Sequence, residues 1–170
     1  DLELRGRRAI VCGGSKGISR AAALRLSLEG AKVILVARTP ETLAETAHAI
    51  MQESGVDVQY FAADLTLPSG RNALLEAHPE TDILVTNPGV PQRFISYKDL
   101  RSEDWNWWME AHFHSAMGLI YGYAPGMCER RFGRIVNLSV SFIKFPQVNA
   151  GHSHAARLAL AGAIASLVRE

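Results

Sequence analysis

Cysteine is scarce in this sequence, and long apolar runs and an excess of charge of one sign are missing. The two cysteines, Cys12 and Cys128, lie far apart along the chain, which favours two separate thiols over a disulfide and predicts a reducing, cytoplasmic environment. No apolar run approaches the ~20 residues that span a bilayer. Arg5, Arg7 and Arg8 lead into a short apolar segment, unlike the longer one of a signal peptide. The sequence therefore predicts no membrane partner.

The charges nearly cancel, with 18 Lys and Arg against 17 Asp and Glu and a formal net charge of +1. No basic face stands out, so a nucleic-acid partner is not predicted. The histidines have no carboxylate or cysteine at ligand spacing, and no metal site is predicted. Because 48% of the residues are hydrophobic and 21% are charged, the 170 residues suit one globular domain with a substantial core.

What the sequence does contain is a glycine-rich turn near its start. Residues 9–12 form a short apolar run typical of a buried strand, and a helical pattern extends from Gly17 to Gly30. Glycines let the backbone approach a ligand closely, and the free N–H groups at a helix start point at an anion. A strand, a glycine turn and a helix in this order predict a phosphate cradle. The cradle residues expected to hold a cofactor are Gly13, Ser15, Lys16, Gly17 and Ile18.

The rest of the chain alternates strand and helix patterns without hairpin signals. Strands are predicted at 9–12, 31–37, 56–62, 82–86 and 134–138, and helices at 17–30, 40–54, 71–77, 102–131 and 153–170. This order predicts an α/β protein with a doubly wound parallel sheet and helices on both faces, the Rossmann fold. Ligands in such sheets bind at the carboxyl ends of the strands. The residues expected to converge there are 13–19, 38, 64, 87–89 and 139–141.

Several of these segments resemble the short-chain dehydrogenase/reductase family over essentially the whole chain. Residues 13–19 are similar to its Gly-x-x-x-Gly-x-Gly turn, with Ser19 in place of the last glycine. Residues 86–89 resemble its Asn-Asn-Ala-Gly segment, and 133–139 the strand that delivers its catalytic serine. The resemblance implies one dinucleotide-binding domain over residues 1–170. Because family members continue into further strands and a substrate loop, it also implies a domain truncated or unresolved at its C-terminus.

The cofactor expectation depends mainly on Arg38, which follows the second strand. An acidic residue there would bind the ribose 2′-hydroxyl of NAD, whereas a guanidinium pairs with the 2′-phosphate of NADP. Lys16 adds a second positive charge, so NADP(H) is predicted and NAD(H) is less favoured; the alternative makes both side chains solvated surface charges. The resemblance places Asp64 and Leu65 beside the adenine, although Asp64 could equally cap the following helix. Asn87 and Gly89 are expected on the nicotinamide side.

The catalytic positions of the family are substituted in this chain, which contains no Tyr-x-x-x-Lys. The resemblance aligns Ser153 with the tyrosine, Arg157 with the lysine and His112 with an asparagine of the long helix. Val140 stands at the serine position, flanked by Ser139 and Ser141.

A serine hydroxyl is far less acidic than a tyrosine, and an arginine stays protonated, so the usual proton donor is missing. Histidine titrates near neutrality, and we hypothesise that His112 or His154 acts as acid and base while a serine binds the substrate oxygen. His112 and His114 point in different directions on a helix, so at most one can face the site.

The predicted function is an NADP(H)-dependent oxidoreductase that interconverts a carbonyl and an alcohol by hydride transfer, with an atypical proton donor. The alternative is a catalytically inactive dinucleotide-binding protein, acting as a sensor or partner subunit. The expected partners are a small-molecule carbonyl or alcohol substrate and further copies of the chain, in a homodimer or homotetramer. Self-association is expected because helices 102–131 and 153–170 resemble those that family members pair across a dimer interface.

Overall fold

The protein, described by a computed structural model over residues 2–90 and 93–169, is built around one five-stranded parallel sheet. The sheet order is β3-β2-β1-β4-β5, and every neighbouring pair is parallel. Because the order reverses between β1 and β4, a crevice opens at the carboxyl ends of these two strands. The predicted Rossmann architecture is confirmed. The strands are β1 (Arg8–Cys12), β2 (Lys32–Ala37), β3 (Val58–Ala62), β4 (Ile83–Thr86) and β5 (Arg134–Asn137).

Six α-helices connect and follow the strands in the described part of the chain. Alternate residues of β1 point to opposite faces of the sheet, so Ala9 and Val11 join one buried cluster and Ile10 and Cys12 the other. Both clusters are apolar, as expected for a parallel sheet covered on both sides. The helices are α1 (Gly17–Leu28), α2 (Pro40–Ser54), α3 (Pro68–Ala77), α4 (Ser102–Met109), α5 (Ser115–Glu129) and α6 (Gly151–Leu167).

The long helix predicted over 102–131 is interrupted. A π-helical turn, Glu110–His114, separates α4 from α5, and the Ser115 hydroxyl donates a hydrogen bond to the carbonyl of Ala111 within it. A π turn takes in an extra residue and shifts the side chains that follow around the helix axis. This turn packs against α6, a tertiary contact that the helical periodicity of the sequence does not encode. Two other helices begin earlier than predicted, α3 at Pro68 rather than 71 and α6 at Gly151 rather than 153.

The thiols are separate, as predicted: Cys12 is buried in β1 and Cys128 is exposed near the end of α5. Burial raises the pKa of the Cys12 thiol to about 12, which keeps it protonated and unreactive. None of the helices among residues 2–90 and 93–169 combines the length and apolarity of a membrane-spanning segment. The same residues bring together no group of three or more histidine, cysteine or carboxylate side chains that would hold a metal ion.

Candidate active site

A cleft of about 530 Å³ lies at the carboxyl ends of the strands, where the sheet order reverses. The predicted residues from the cradle, from the end of β2 and from the segments after β4 and β5 meet there, although they are far apart in sequence. Its lining consists of Gly13, Ser15, Lys16, Gly17, Ile18, Val36, Ala37, Arg38, Thr39, Thr42, Ala63, Leu65, Asn87, Pro88, Gly89, Leu138, Ser139, Val140 and Arg157.

The glycine turn forms the floor of this cleft. A Cβ on Gly14 would lie 2.8 Å from the carbonyl oxygen of Val11 and 3.0 Å from the Leu35 side chain, so only glycine fits. Gly17 has a φ of +56° and opens α1, whose first turn carries no acidic residue. The unsatisfied N–H groups at the start of α1 are therefore available to an anion.

Ser19 replaces the glycine that the resemblance leads one to expect, and its bulk is accommodated. The side chain is fully buried, and its Oγ accepts a hydrogen bond of 3.0 Å from the Asn87 Nδ2. The Oδ1 of the same amide accepts a 3.2 Å bond from the Gly89 N–H. Asn87 is thus held through both ends of its amide, and it ties the segment after β4 to the helix that carries the cradle.

Replacing Ser19 with alanine should loosen this connection. The Asn87 Nδ2 would lose its partner, and we expect a loss of about 1–2 kcal/mol of unfolding free energy together with weaker cofactor binding. Urea denaturation and cofactor titration measure the two effects. Ser27→Ala is a matched control, since Ser27 is equally buried in α1 and bonded to Ser54 but lies outside the cleft. A Ser19→Ala protein that loses stability while binding the cofactor as tightly as the Ser27 variant would contradict a role in the site.

Positive side chains and hydroxyl groups surround the end of β2. Arg38 and Lys16 are both exposed along the cleft, and neither forms an ion pair with any described residue. Thr39 and Thr42, at the start of α2, line the same part of the cleft. The sequence analysis did not identify these two threonines as cleft residues, although hydroxyl groups at a helix start beside an arginine are typical of a phosphate site.

Asp64 does not line the cleft, whereas its neighbours Ala63 and Leu65 do. Its Oδ1 accepts hydrogen bonds from the Thr66 N–H at 3.0 Å and the Thr66 hydroxyl at 2.7 Å. This closes a turn before α3, whose N-cap is Leu67, so the helix-cap alternative for Asp64 is wrong. Contact of Asp64 with an adenine stays a prediction.

The opposite end of the cleft is formed by the segments after β4 and β5 and by α6. Ser139 is exposed there, between Leu138 and Val140, and Arg157 reaches the same region from α6. Ser141 lies outside the cleft lining and opens a single 3₁₀ turn, Ser141–Ile143. The structure therefore brings Ser139 and Arg157 into the cleft but leaves Ser141 outside it.

Ser153, aligned with the family tyrosine, is fully buried in the first turn of α6. Its Oγ accepts a 3.3 Å hydrogen bond from the Arg157 Nε, one helical turn away. Partial burial lowers the pKa of the Arg157 guanidinium from its usual value, yet an arginine remains charged at neutral pH. Ser153 thus holds the guanidinium of Arg157 on the side away from the cleft, and Arg157 itself lines the cleft.

His112 is buried in the π turn, with 2% of its surface exposed, and it is absent from the cleft lining. Its ring stacks on Trp108 at 5.1 Å between centroids, and Trp108 also contacts His152 at 4.6 Å. Burial lowers the pKa of His112 to about 3, assisted by the positive charge of Arg157 and by His152. The imidazole is therefore neutral at pH 7, and the structure does not support His112 as a proton donor.

The other histidines of this region also lie away from the cleft lining. His114 is exposed and is also absent from the cleft lining, so neither histidine of this turn lines the cleft. His154 is half-buried and likewise absent from the lining. His152 is buried, its Nε2 lies 3.1 Å from the Arg93 carbonyl, and burial lowers its pKa. The pairing of His152 with Trp108 was missed at the sequence level, because it joins α6 to α4.

A family model described as short chain dehydrogenase matches residues 7–170. The chain is 32% identical over 157 residues to the uncharacterized oxidoreductase YvaG of Bacillus subtilis (strain 168), covering 92% of this chain and 59% of that protein. Among solved structures, it is similar to the L-sorbose reductase of Gluconobacter frateurii complexed with NADPH and L-sorbose, with a TM-score of 0.87 and 29% identity. That match covers 94% of this chain and 62% of the reductase.

A 3-oxoacyl (acyl-carrier-protein) reductase from Agrobacterium tumefaciens C58, solved with NADP bound, gives a TM-score of 0.89 at 30% identity. The match covers 98% of this chain and 65% of that one. The chain thus spans about six-tenths of the length of these relatives.

Proposed function

This chain belongs to the short-chain dehydrogenase family, and from that membership we propose that it is an NADP(H)-dependent oxidoreductase. It interconverts a carbonyl and an alcohol by hydride transfer. Residues 1–170 serve as one dinucleotide-binding domain, with the cofactor along the cleft. When bound, the reduced cofactor supplies the hydride.

The observation that carries the proposal is the charge distribution of the cleft. Lys16 and Arg38 line the end at β2, and no carboxylate is among the described lining residues. A guanidinium at this place is complementary to a 2′-phosphate, whereas the ribose 2′-hydroxyl of NAD calls for an acid. The N–H groups at the start of α1 suit the pyrophosphate. The NADPH and NADP complexes of two similar reductases support the same cofactor.

At the other end, Ser139 is the cleft-lining hydroxyl available to a substrate carbonyl. We assign it to donate a hydrogen bond to the carbonyl oxygen, where negative charge develops as the hydride adds to the carbonyl carbon. That oxygen then takes a proton from a water molecule in the open cleft, and the hydroxide formed is neutralised by bulk solvent. Water is the atypical donor because His112 is buried and neutral and Ser153 is buried behind Arg157.

One observation favours the second candidate, a dinucleotide-binding protein without dehydrogenase activity. The charged side chains of the described cleft lining are Lys16, Arg38 and Arg157, and the same lining contains no histidine, tyrosine or carboxylic acid to act as a general acid. A protein with this cleft could bind NADP(H) as a sensor or partner subunit.

Turnover separates the two candidates. With NADPH binding first established by titration, oxidation of NADPH should be observable over a panel of ketones. Ser139→Ala should lower kcat about tenfold through loss of one hydrogen bond to the developing oxyanion, with NADPH affinity unchanged. Ser141→Ala, a neighbour outside the cleft, is the matched control and should retain wild-type kcat. NADPH binding without turnover of any carbonyl would favour the binding protein.

We extend the proposal to a cytoplasmic homodimer or homotetramer. Support comes from exposed apolar side chains on the helices concerned, namely Trp107 on α4, Tyr121 on α5 and Leu158 on α6.

A further inference from the structure

We propose that the guanidinium of Arg157 binds a carboxylate group of the substrate, so that the carbonyl substrates are oxo acids and the corresponding alcohols hydroxy acids. The inference rests on the proposed function, because it assumes that the substrate lies at the Ser139 end of the cleft. It names a substrate class and a specificity-determining residue.

The position of Arg157 is the first argument. It lines the cleft together with Ser139 and Val140, and α6 packs against the turn Ser141–Ile143 that follows these two residues. We therefore place a group bound to Arg157 at the same end of the cleft as the hydroxyl that we assign to the carbonyl oxygen. The phosphate-binding charges of Lys16 and Arg38 lie on other segments, at the cradle and at the end of β2. The cofactor's phosphates are therefore accounted for without Arg157.

The missing counter-charge is the second argument. The ion pairs of the described residues neutralise Arg8, Arg71 and Arg130, but Arg157 has no carboxylate partner among them although it is half-buried. A partly desolvated cation without a counter-ion is unfavourable. An anionic ligand supplies the charge that the described protein residues do not.

The described side chains around Arg157 provide no negative charge to balance its guanidinium. Burial lowers the pKa of His112 and of His152, which lie behind the cleft, and neither side chain can supply the negative charge that the guanidinium lacks. This part of the site attracts anions.

The hydrogen bonding of Arg157 indicates the shape of the anion. Its Nε donates to the buried Ser153 Oγ at 3.3 Å, which holds the planar group at one edge and leaves the two terminal nitrogens as a fork. Two parallel N–H donors match the two oxygens of a carboxylate. Ribose hydroxyls could also accept from this fork, but they would leave its charge uncompensated.

The test compares a carboxylic acid with its amide, which has nearly the same shape and no charge. Wild-type protein is first saturated with NADP⁺, and binding of 3-hydroxyhexanoate and 3-hydroxyhexanamide is then measured by calorimetry at low ionic strength. We expect the acid to bind at least tenfold more tightly than the amide. Arg157→Gln should abolish this preference, and Arg157→Lys, which keeps the charge but not the fork, should retain part of it. Lys98→Gln, which removes an exposed cation outside the cleft, should leave the preference intact.

Equal binding of acid and amide, absence of binding by both, or a preference that survives in Arg157→Gln would overturn the assignment. Loss of NADP⁺ affinity in Arg157→Gln without an acid preference in the wild type would assign Arg157 to the ribose instead. Failure of the wild type to bind NADP⁺ at all would overturn the proposed function, and it is detected in the saturation step. Should Arg157→Gln fail to fold by circular dichroism, the wild-type comparison of acid and amide decides alone.

Discussion

Substituting Arg38 with aspartate is expected to reverse the cofactor preference from NADPH to NADH. In the wild type, the Arg38 guanidinium lines the cleft without an ion-pair partner among the described residues, so it is free to pair with a 2′-phosphate. A charge-assisted hydrogen bond contributes about 1.5–3 kcal/mol, and its loss should weaken NADPH binding about 10- to 100-fold. Repulsion between the new carboxylate and the phosphate adds to this loss.

The same substitution should improve NADH binding, because a carboxylate after the second strand accepts hydrogen bonds from the ribose hydroxyls. A gain of about 1 kcal/mol there, roughly fivefold in affinity, would change the ratio of the two affinities by roughly 50- to 500-fold in total. Fluorescence titration of wild-type and Arg38→Asp protein with both cofactors measures this ratio.

Arg169→Asp is the control for the change in net charge, since Arg169 is exposed beyond the end of α6 and outside the cleft lining. It should leave the preference for NADPH unchanged. A second check is the salt dependence: raising ionic strength should weaken wild-type binding of NADPH more than that of NADH, because the exposed Arg38 and Lys16 charges are screened. Unaltered NADPH affinity in Arg38→Asp would remove the basis for assigning NADP(H) to this cleft.

The second large effect is a loss of stability in acid that originates at His112. Its pKa is lowered from 6.5 to about 3 in the folded protein, whereas in the unfolded chain the imidazole protonates near pH 6.5. Between these two values the unfolded state binds more protons, so stability falls as the pH is lowered through this window. The slope is about 1.4 kcal/mol per pH unit for one histidine. His152, whose pKa burial also lowers, adds to it.

Urea denaturation between pH 7.5 and 4.5 measures this effect. His112→Phe preserves a ring that can stack on Trp108 but cannot be protonated, so the variant should lose up to about 1.4 kcal/mol per pH unit of the wild-type slope. His48→Phe is the control, since it removes a histidine from the exposed face of α2, and it should keep the wild-type slope. Identical slopes for wild type and His112→Phe would mean that the buried imidazole does not couple folding to pH.

Much of this protein follows from local sequence patterns. The strand Arg8–Cys12, the glycine turn after it and the helix from Gly17 are each determined within a few residues. The sequence signals are the apolar run 9–12, the glycines at 13, 14 and 17, and helical periodicity. Parallel strands joined by helices place their carboxyl ends along one edge. The sequence therefore also determined that Arg38, Asn87 and Ser139 would meet at one cleft.

Only the tertiary structure decided whether each side chain is buried or lines the cleft, and which residues it contacts. The family resemblance placed His112, Ser153 and Arg157 in one site, but an alignment does not distinguish a residue in the cleft from one behind it. The π turn and its packing against α6 bury His112 on Trp108, and it does not line the cleft. Ser19 shows the reverse case, because the serine that stands in place of the family glycine gains a hydrogen-bond partner 68 positions away. Such contacts join distant segments, and the free energy that selects them comes from packing and desolvation, which no local pattern records.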